Sequence, residues 1–118
     1  GKIEFRYSNL TKIDADDNEF DAGICFHTLE HIYSEDLPKV LQEIHRTLKP
    51  GAPFIFSVPC RTAFEAEPTH VVQFDLEDGE YINLHKLLEC HGFDVVEIYE
   101  DRKLNMPYEL CITGIAHA

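Results

Sequence analysis

Residues 20 to 32 read FDAGICFHTLEHI. The first seven form a short, nearly continuous apolar run, as expected of a strand buried on both faces. Directly after it come two histidines four apart, with a glutamate beside the second. From Ser34 the period changes. Leu37, Val40, Leu41, Ile44 and Leu48 fall at helical spacing and form one apolar stripe. Ser34 stands at the N-cap position, and Glu35 and Asp36 suit the positive end of the helix dipole. Arg46 and Lys49 suit the negative end, and Pro50-Gly51 stops the helix. PFIFSVP at 53 to 59 is a second buried-type strand. Strand, turn, helix and strand in this order imply two parallel strands joined by a right-handed crossover.

The rest of the chain extends that unit. IEFRY at 3 to 7 alternates and is rich in β-formers, so a strand is expected there, followed by a polar, aspartate-rich loop over 8 to 19. Residues 60 to 79, with Pro68 and Gly79, read as a long loop. Leu84, Leu87 and Leu88 mark a helix over about 79 to 91 on pattern grounds, with Gly92 as its C-cap. FDVVEIYE at 93 to 100 and YELCITGIA at 108 to 116 are strands. They flank a loop containing Pro107, and the short connection predicts that they pair antiparallel. The fold class is α/β, with a mostly parallel sheet and an antiparallel C-terminal strand pair.

The length of 118 residues suits one domain with one core. The formal charge of −12 repels phosphate backbones, so nucleic acid is not expected as a partner. The longest apolar runs are far too short to span a bilayer, so no membrane association is expected. Gly1 is followed by a charged, strand-like segment, so no secretory leader is expected. The cysteines at 25, 60, 90 and 111 form no CxxC pair, and three lie in apolar runs. Buried, reduced thiols in a cytoplasmic protein are the simplest account.

FDAGICFHTLEHI, with LQEIHRTLKPGA at 41 to 52 and FIFSVP at 54 to 59, resembles the class I S-adenosylmethionine-dependent methyltransferases. That family's pattern runs FD, an apolar strand, a LEH turn, a helix ending R-x-LKPGG, then an apolar strand ending in proline. Ala52 replaces the second glycine here. EPTH at 67 to 70 and LLECHGF at 87 to 93 match the family's later PxH element and GF helix end. The resemblance implies a Rossmann-like sheet entered at its third strand. The six glycines are dispersed, no two within five residues, so these residues hold no glycine-rich loop for close approach to a cofactor. By position, the resemblance implies S-adenosylmethionine contacts from Asn9 near the adenine, Leu10 on the ring, and Phe26 and His27 at the strand tip. An asparagine can accept a hydrogen bond from an amino group.

HTLEH also fits other chemistries. The inverted zinc-protease motif H-x-x-E-H places two histidines on one helical face. It needs a helix on both sides, whereas here a β-rich run leads straight in. The small-RNA terminal 2′-O-methyltransferases carry E-x-x-E-H at this turn plus a distant histidine. That resemblance implies a metal held by His27, Glu30, His31 and His70, with the first carboxylate replaced by histidine, which shifts preference towards Zn, Mn or Fe. In metal-free methyltransferases the same turn is fixed by hydrogen bonds from Glu30 and His31 to neighbouring backbone. Candidates for a general base are His31, His70 and Glu30. Of the other histidines, His45 lies off the apolar stripe and is expected to be exposed. His85 and His91 read as helix-surface and helix-end residues.

The family's strand order would leave one flank of FDAGICF unpaired, and an apolar edge needs covering. Either the 3-to-7 strand slides in beside it or a second copy pairs there, giving a homodimer. The resulting expectation is a methyltransferase-like domain acting on a small-molecule or glycan acceptor. The alternative is a relic fold that serves as a binding or oligomerisation module.

Overall fold

The computed structural model describes residues 3–60, 69–76, 81–101 and 108–117. In chain order its elements are β1 (Gly23–Phe26), a 3₁₀ turn (Leu29–His31), α1 (Leu37–Thr47), β2 (Pro53–Cys60), β3 (Phe74–Asp75), β4 (Ile82–Asn83), α2 (Leu84–Cys90), β5 (Phe93–Asp101) and β6 (Tyr108–Ala116). They form a six-stranded sheet ordered β4-β3-β2-β6-β5, with β1 also on β2. β1 pairs parallel with β2 from Gly23 against Phe54 to Phe26 against Ser57, and β3 follows at Cys60. β6 pairs antiparallel with β2 along its length and with β5 on its other side. It is therefore the single reversed strand among those described. The expected crossover and antiparallel pair are both present.

The stripe on α1 forms the core. Leu37, Val40, Leu41, Ile44 and Leu48 are all buried, against Phe54, Phe56 and Val58 of β2 and Phe93, Leu110 and Ile112. Helix α1 starts later than expected. Residues 34–36 make a turn in which Tyr33 O accepts from Asp36 N–H (2.9 Å) and Leu37 N–H (3.2 Å), and Asp36 is the N-cap. Pro38, in the first helical turn, sits where its missing N–H costs nothing. Helix α2 also starts late. Ile82–Asn83 pair with Phe74–Asp75 as a strand, and Asn83 Oδ1 then caps the helix by accepting from Lys86 N–H at 3.1 Å. Gly92 follows the helix with φ 88°, as the C-terminal glycine reading requires. The expected 60-to-79 loop thus contains β3, while Pro68 and Gly79, like Pro107, lie outside the described residues.

Three expectations are overturned. Residues 3 to 7 form no strand. Ile3, Phe5 and Tyr7 are almost fully exposed, and Arg6 ties the segment to Glu4, Glu19 and the Asp14 carbonyl instead. Alternation alone supplies no ladder partner, and an unpaired strand is not stable in water. That segment consequently does not slide in beside β1. Nor is β1 buried on both faces. Ile24 and Phe26 are 63% and 52% exposed, because α1 covers only the face that carries Cys25. Lastly, His45 is half-buried. Its ring stands edge-on against Phe93 (centroids 5.6 Å apart), with Nε2 buried and unpartnered.

The aspartate-rich loop is pinned to α1 by Arg46. Its guanidinium donates to the carbonyls of Ile13 and Ala15, to Asp17 and to Glu43. The hydrogen bond from Arg46, together with that from Ile13 N–H, holds the Glu43 carboxyl below the usual carboxylate range.

Candidate functional site

The turn after β1 is set by three local features. His27 leaves the strand at φ 51°, an uncommon backbone conformation that histidine tolerates better than most residues, while its N–H still reaches Ser57 O at 2.8 Å. Thr28 Oγ1 donates back to Phe26 O. Leu29 is wholly buried and fastens the turn to the core. The segment beginning at Thr69 crosses the turn: Val71 N–H donates to the Glu30 carbonyl at 2.9 Å, and His31 Nδ1 bonds the Thr69 carbonyl at 2.9 Å.

This crossing brings His70 to Glu30 and His31. One ligand atom from each of Glu30, His31 and His70 lies within 4.8 Å of the others. The rings of His31 and His70 meet edge-on, centroids 4.7 Å apart. Glu30 is 1% exposed, and neither carboxylate oxygen has a hydrogen-bond partner. The loop-fixing reading of HTLEH therefore holds for the His31 ring and for the Glu30 backbone, but not for the Glu30 side chain. His27 is outside the cluster. Its Nδ1 is 4.0 Å from Glu30 Oε2, but its Nε2 pairs with Glu109 at 2.8 Å. Glu109 had no sequence signal. It arrives because β6 runs antiparallel to β2, which places Glu109 opposite Pro59.

The residues expected near a cofactor form two groups. Asn9, Leu10 and Thr11 line a cavity of about 330 Å³ together with His31, Ile32, Tyr33, Asp36 and Val40. Asn9 Oδ1 already accepts from Thr11 N–H (2.9 Å) and Thr11 Oγ1 (2.7 Å), so the oxygen assigned to an adenine amino group is engaged, and its Nδ2 is the side that offers a bond. Leu10 also faces an apolar cavity of about 310 Å³ beside Gly23, Ile24 and Cys25. Phe26 and His27 line neither cavity. Among the described residues none of the four cysteines forms a disulfide. Burial pushes the Cys25 thiol up, which disfavours its thiolate form. Cys60 is buried, but Cys90 is exposed on α2, against the expectation for its apolar run. His85 pairs with Glu89 one helical turn on, as a helix-surface residue should, and His91 bonds the Leu87 carbonyl at the helix end.

Among the described residues no helix is long and apolar enough to cross a membrane. Residues 1–56 match the family model described as a methyltransferase domain. A probable S-adenosylmethionine-dependent methyltransferase of Mycolicibacterium smegmatis is 30% identical over 95 residues, 80% of this chain. The chain spans only 36% of that relative's length. A solved S-adenosylmethionine-dependent methyltransferase of Methanosarcina mazei superposes with a TM-score of 0.73 at 18% identity, covering 99% of this chain and 68% of that one. A Burkholderia thailandensis N1-methyltransferase, solved with bound S-adenosylhomocysteine, superposes with a TM-score of 0.69 at 19% identity, covering 94% and 49%. The strand order, the HTLEH turn at the tip of β1 and these likenesses agree: the chain is a methyltransferase-like domain with the class I S-adenosylmethionine-dependent methyltransferase fold.

Proposed function

We propose that this domain serves the transfer of a methyl group from S-adenosylmethionine to a hydroxyl or amine of a small molecule or glycan. The observation that carries the reading is the place of the HTLEH turn. It stands at the carboxyl end of parallel strand β1, and its His31 lines the same cavity as Asn9 and Leu10. Ligands of open α/β sheets bind outside the carboxyl ends of the strands. The cofactor, when bound, supplies a methyl group on a sulfonium centre. Leu10 offers an apolar face to a ring, Asn9 Nδ2 offers a donor, and the turn held by Leu29 sets their distance from His31. His31 Nδ1 faces the Thr69 carbonyl, which only accepts, so the contact fixes the ring at the rim of the cavity with Nδ1 as donor. The charge of −12 favours an acceptor without phosphates, and four cysteines outside any disulfide favour a reducing, cytoplasmic setting.

Calorimetric titration of the chain with S-adenosylhomocysteine tests this reading. Micromolar binding that Leu10→Asp abolishes is expected. No heat at millimolar ligand would turn the reading towards a binding module that kept the fold alone. We also propose that a second copy covers the outer flank of β1 when the chain is studied by itself, because among the described residues β1 pairs with β2 alone, and its Ile24 and Phe26 stand exposed. Light scattering at micromolar concentration should give the mass of a dimer. A monomer at that concentration sinks the proposal.

A further inference from the structure

We infer that Glu30, His31 and His70 form a binding site for a divalent transition cation of the zinc type. The argument starts from the orphaned carboxylate. An ionised group taken out of water without a partner costs several kcal/mol, and proteins pair such groups or give them to a metal. Glu30 is 1% exposed, and among the described residues neither of its oxygens accepts a hydrogen bond; the nitrogens of His31 and His27 stand off at 3.9 and 4.0 Å from Oε2.

The surrounding nitrogens sharpen the point. His31 Nδ1 lies 2.9 Å from the Thr69 carbonyl, which can only accept, so Nδ1 is the protonated nitrogen and Nε2 holds a lone pair. That Nε2 is 3.9 Å from Glu30 Oε2. Two electron-pair donors facing each other at this distance attract nothing between themselves, and a cation placed between them satisfies both. His70, itself buried, brings a third ligand atom within 4.8 Å. The Nδ1–H bond to Thr69 is also the outer contact that commonly orients a metal-binding imidazole.

Two imidazoles and one carboxylate suit Zn²⁺, Fe²⁺ or Mn²⁺ better than Mg²⁺ or Ca²⁺, which prefer oxygen ligands. Three protein ligands also leave a position open for water or an acceptor oxygen. In a tetrahedral zinc site, bonds of about 2.05 Å set ligand atoms about 3.4 Å apart, so the widest gap of 4.8 Å must close by about 1.4 Å. The half-exposed His31 ring leaves room for that movement.

The chelator-treated chain is titrated with Zn²⁺ in a calorimeter, with no S-adenosyl compound present, so the result is separate from the methyl-transfer reading. One-to-one binding is expected. Glu30→Gln and His70→Gln should each weaken it by about 100-fold or more, while His85→Gln on the surface of α2 leaves it intact. Melting curves supply a second readout. Without metal, Glu30→Gln should melt above the unmodified chain, since an amide replaces an unpaired charge. With saturating Zn²⁺ the order should reverse. Co²⁺ added to the unmodified chain should give the strong visible absorption of a four-coordinate site. Absence of stoichiometric Zn²⁺ binding, or an equal loss in His85→Gln, overturns the assignment. So does a metal-free Glu30→Gln that melts lower together with unchanged Zn²⁺ affinity.

Discussion

Phe56→Ala will remove about 3–5 kcal/mol of stability. Phe56 is fully buried in β2, between the strands that approach from either side. Its ring lies 4.6 Å from that of Phe54 and meets Phe93 edge-on at 5.4 Å, so truncation both opens a cavity and deletes two aromatic contacts. A domain of this size holds about 5–15 kcal/mol in all, so the variant should be partly unfolded near body temperature. Urea titration followed by circular dichroism gives the value. A loss below about 1.5 kcal/mol would mean that the neighbouring side chains collapse into the space.

The second large effect lies at a glycine. Gly92 has φ 88°, and a Cβ added there would meet the His45 ring at 2.8 Å. Gly51 has almost the same backbone, φ 84°, but open space around it. The pair separates two costs that usually come together. Gly51→Ala should lose only the backbone part, about 1–2 kcal/mol. Gly92→Ala should lose that and a further overpacking cost of about 1–3 kcal/mol. Adding His45→Ala to Gly92→Ala should return the second part, as a double-mutant cycle would record. Equal losses at the two glycines would show that the imidazole swings aside freely.

The sequence made the periodic parts of the molecule legible. The α1 stripe, the PFIFSVP strand, Gly92 and the antiparallel closing pair follow from spacing and side-chain type, and each is where the pattern places it. What pattern could not carry was partnership. IEFRY has the alternation of a strand but no neighbour to bond. FDAGICF has the composition of a doubly buried strand, yet the cover on one of its faces depends on what packs there. The candidate site divides in the same way. His31 and Glu30 were legible because they sit in one short motif. His70 was suggested only by resemblance, through the PxH element and the distant histidine of the small-RNA methyltransferases, and its approach to Glu30 depends on a crossing of two segments about forty residues apart that no local rule encodes. Glu109 depends on the register of β6 and was invisible.

That reversed strand has a consequence for how the molecule comes into being. β6 lies between β2 and β5, yet it follows both in the chain. During synthesis β2 can gather β1 and α1 early, since those partners precede it or lie close by, but one whole side of it waits for the final hairpin. Until residues 108–116 leave the ribosome, the hydrogen-bonding edge of the central strand stays open to any passing β-segment. The hairpin of β5 and β6 can close locally and quickly, whereas its docking onto β2 is among the longest-range pairings in the chain and the slower event. The interval between the two is when the nascent domain is most exposed to misassembly and most in need of a chaperone.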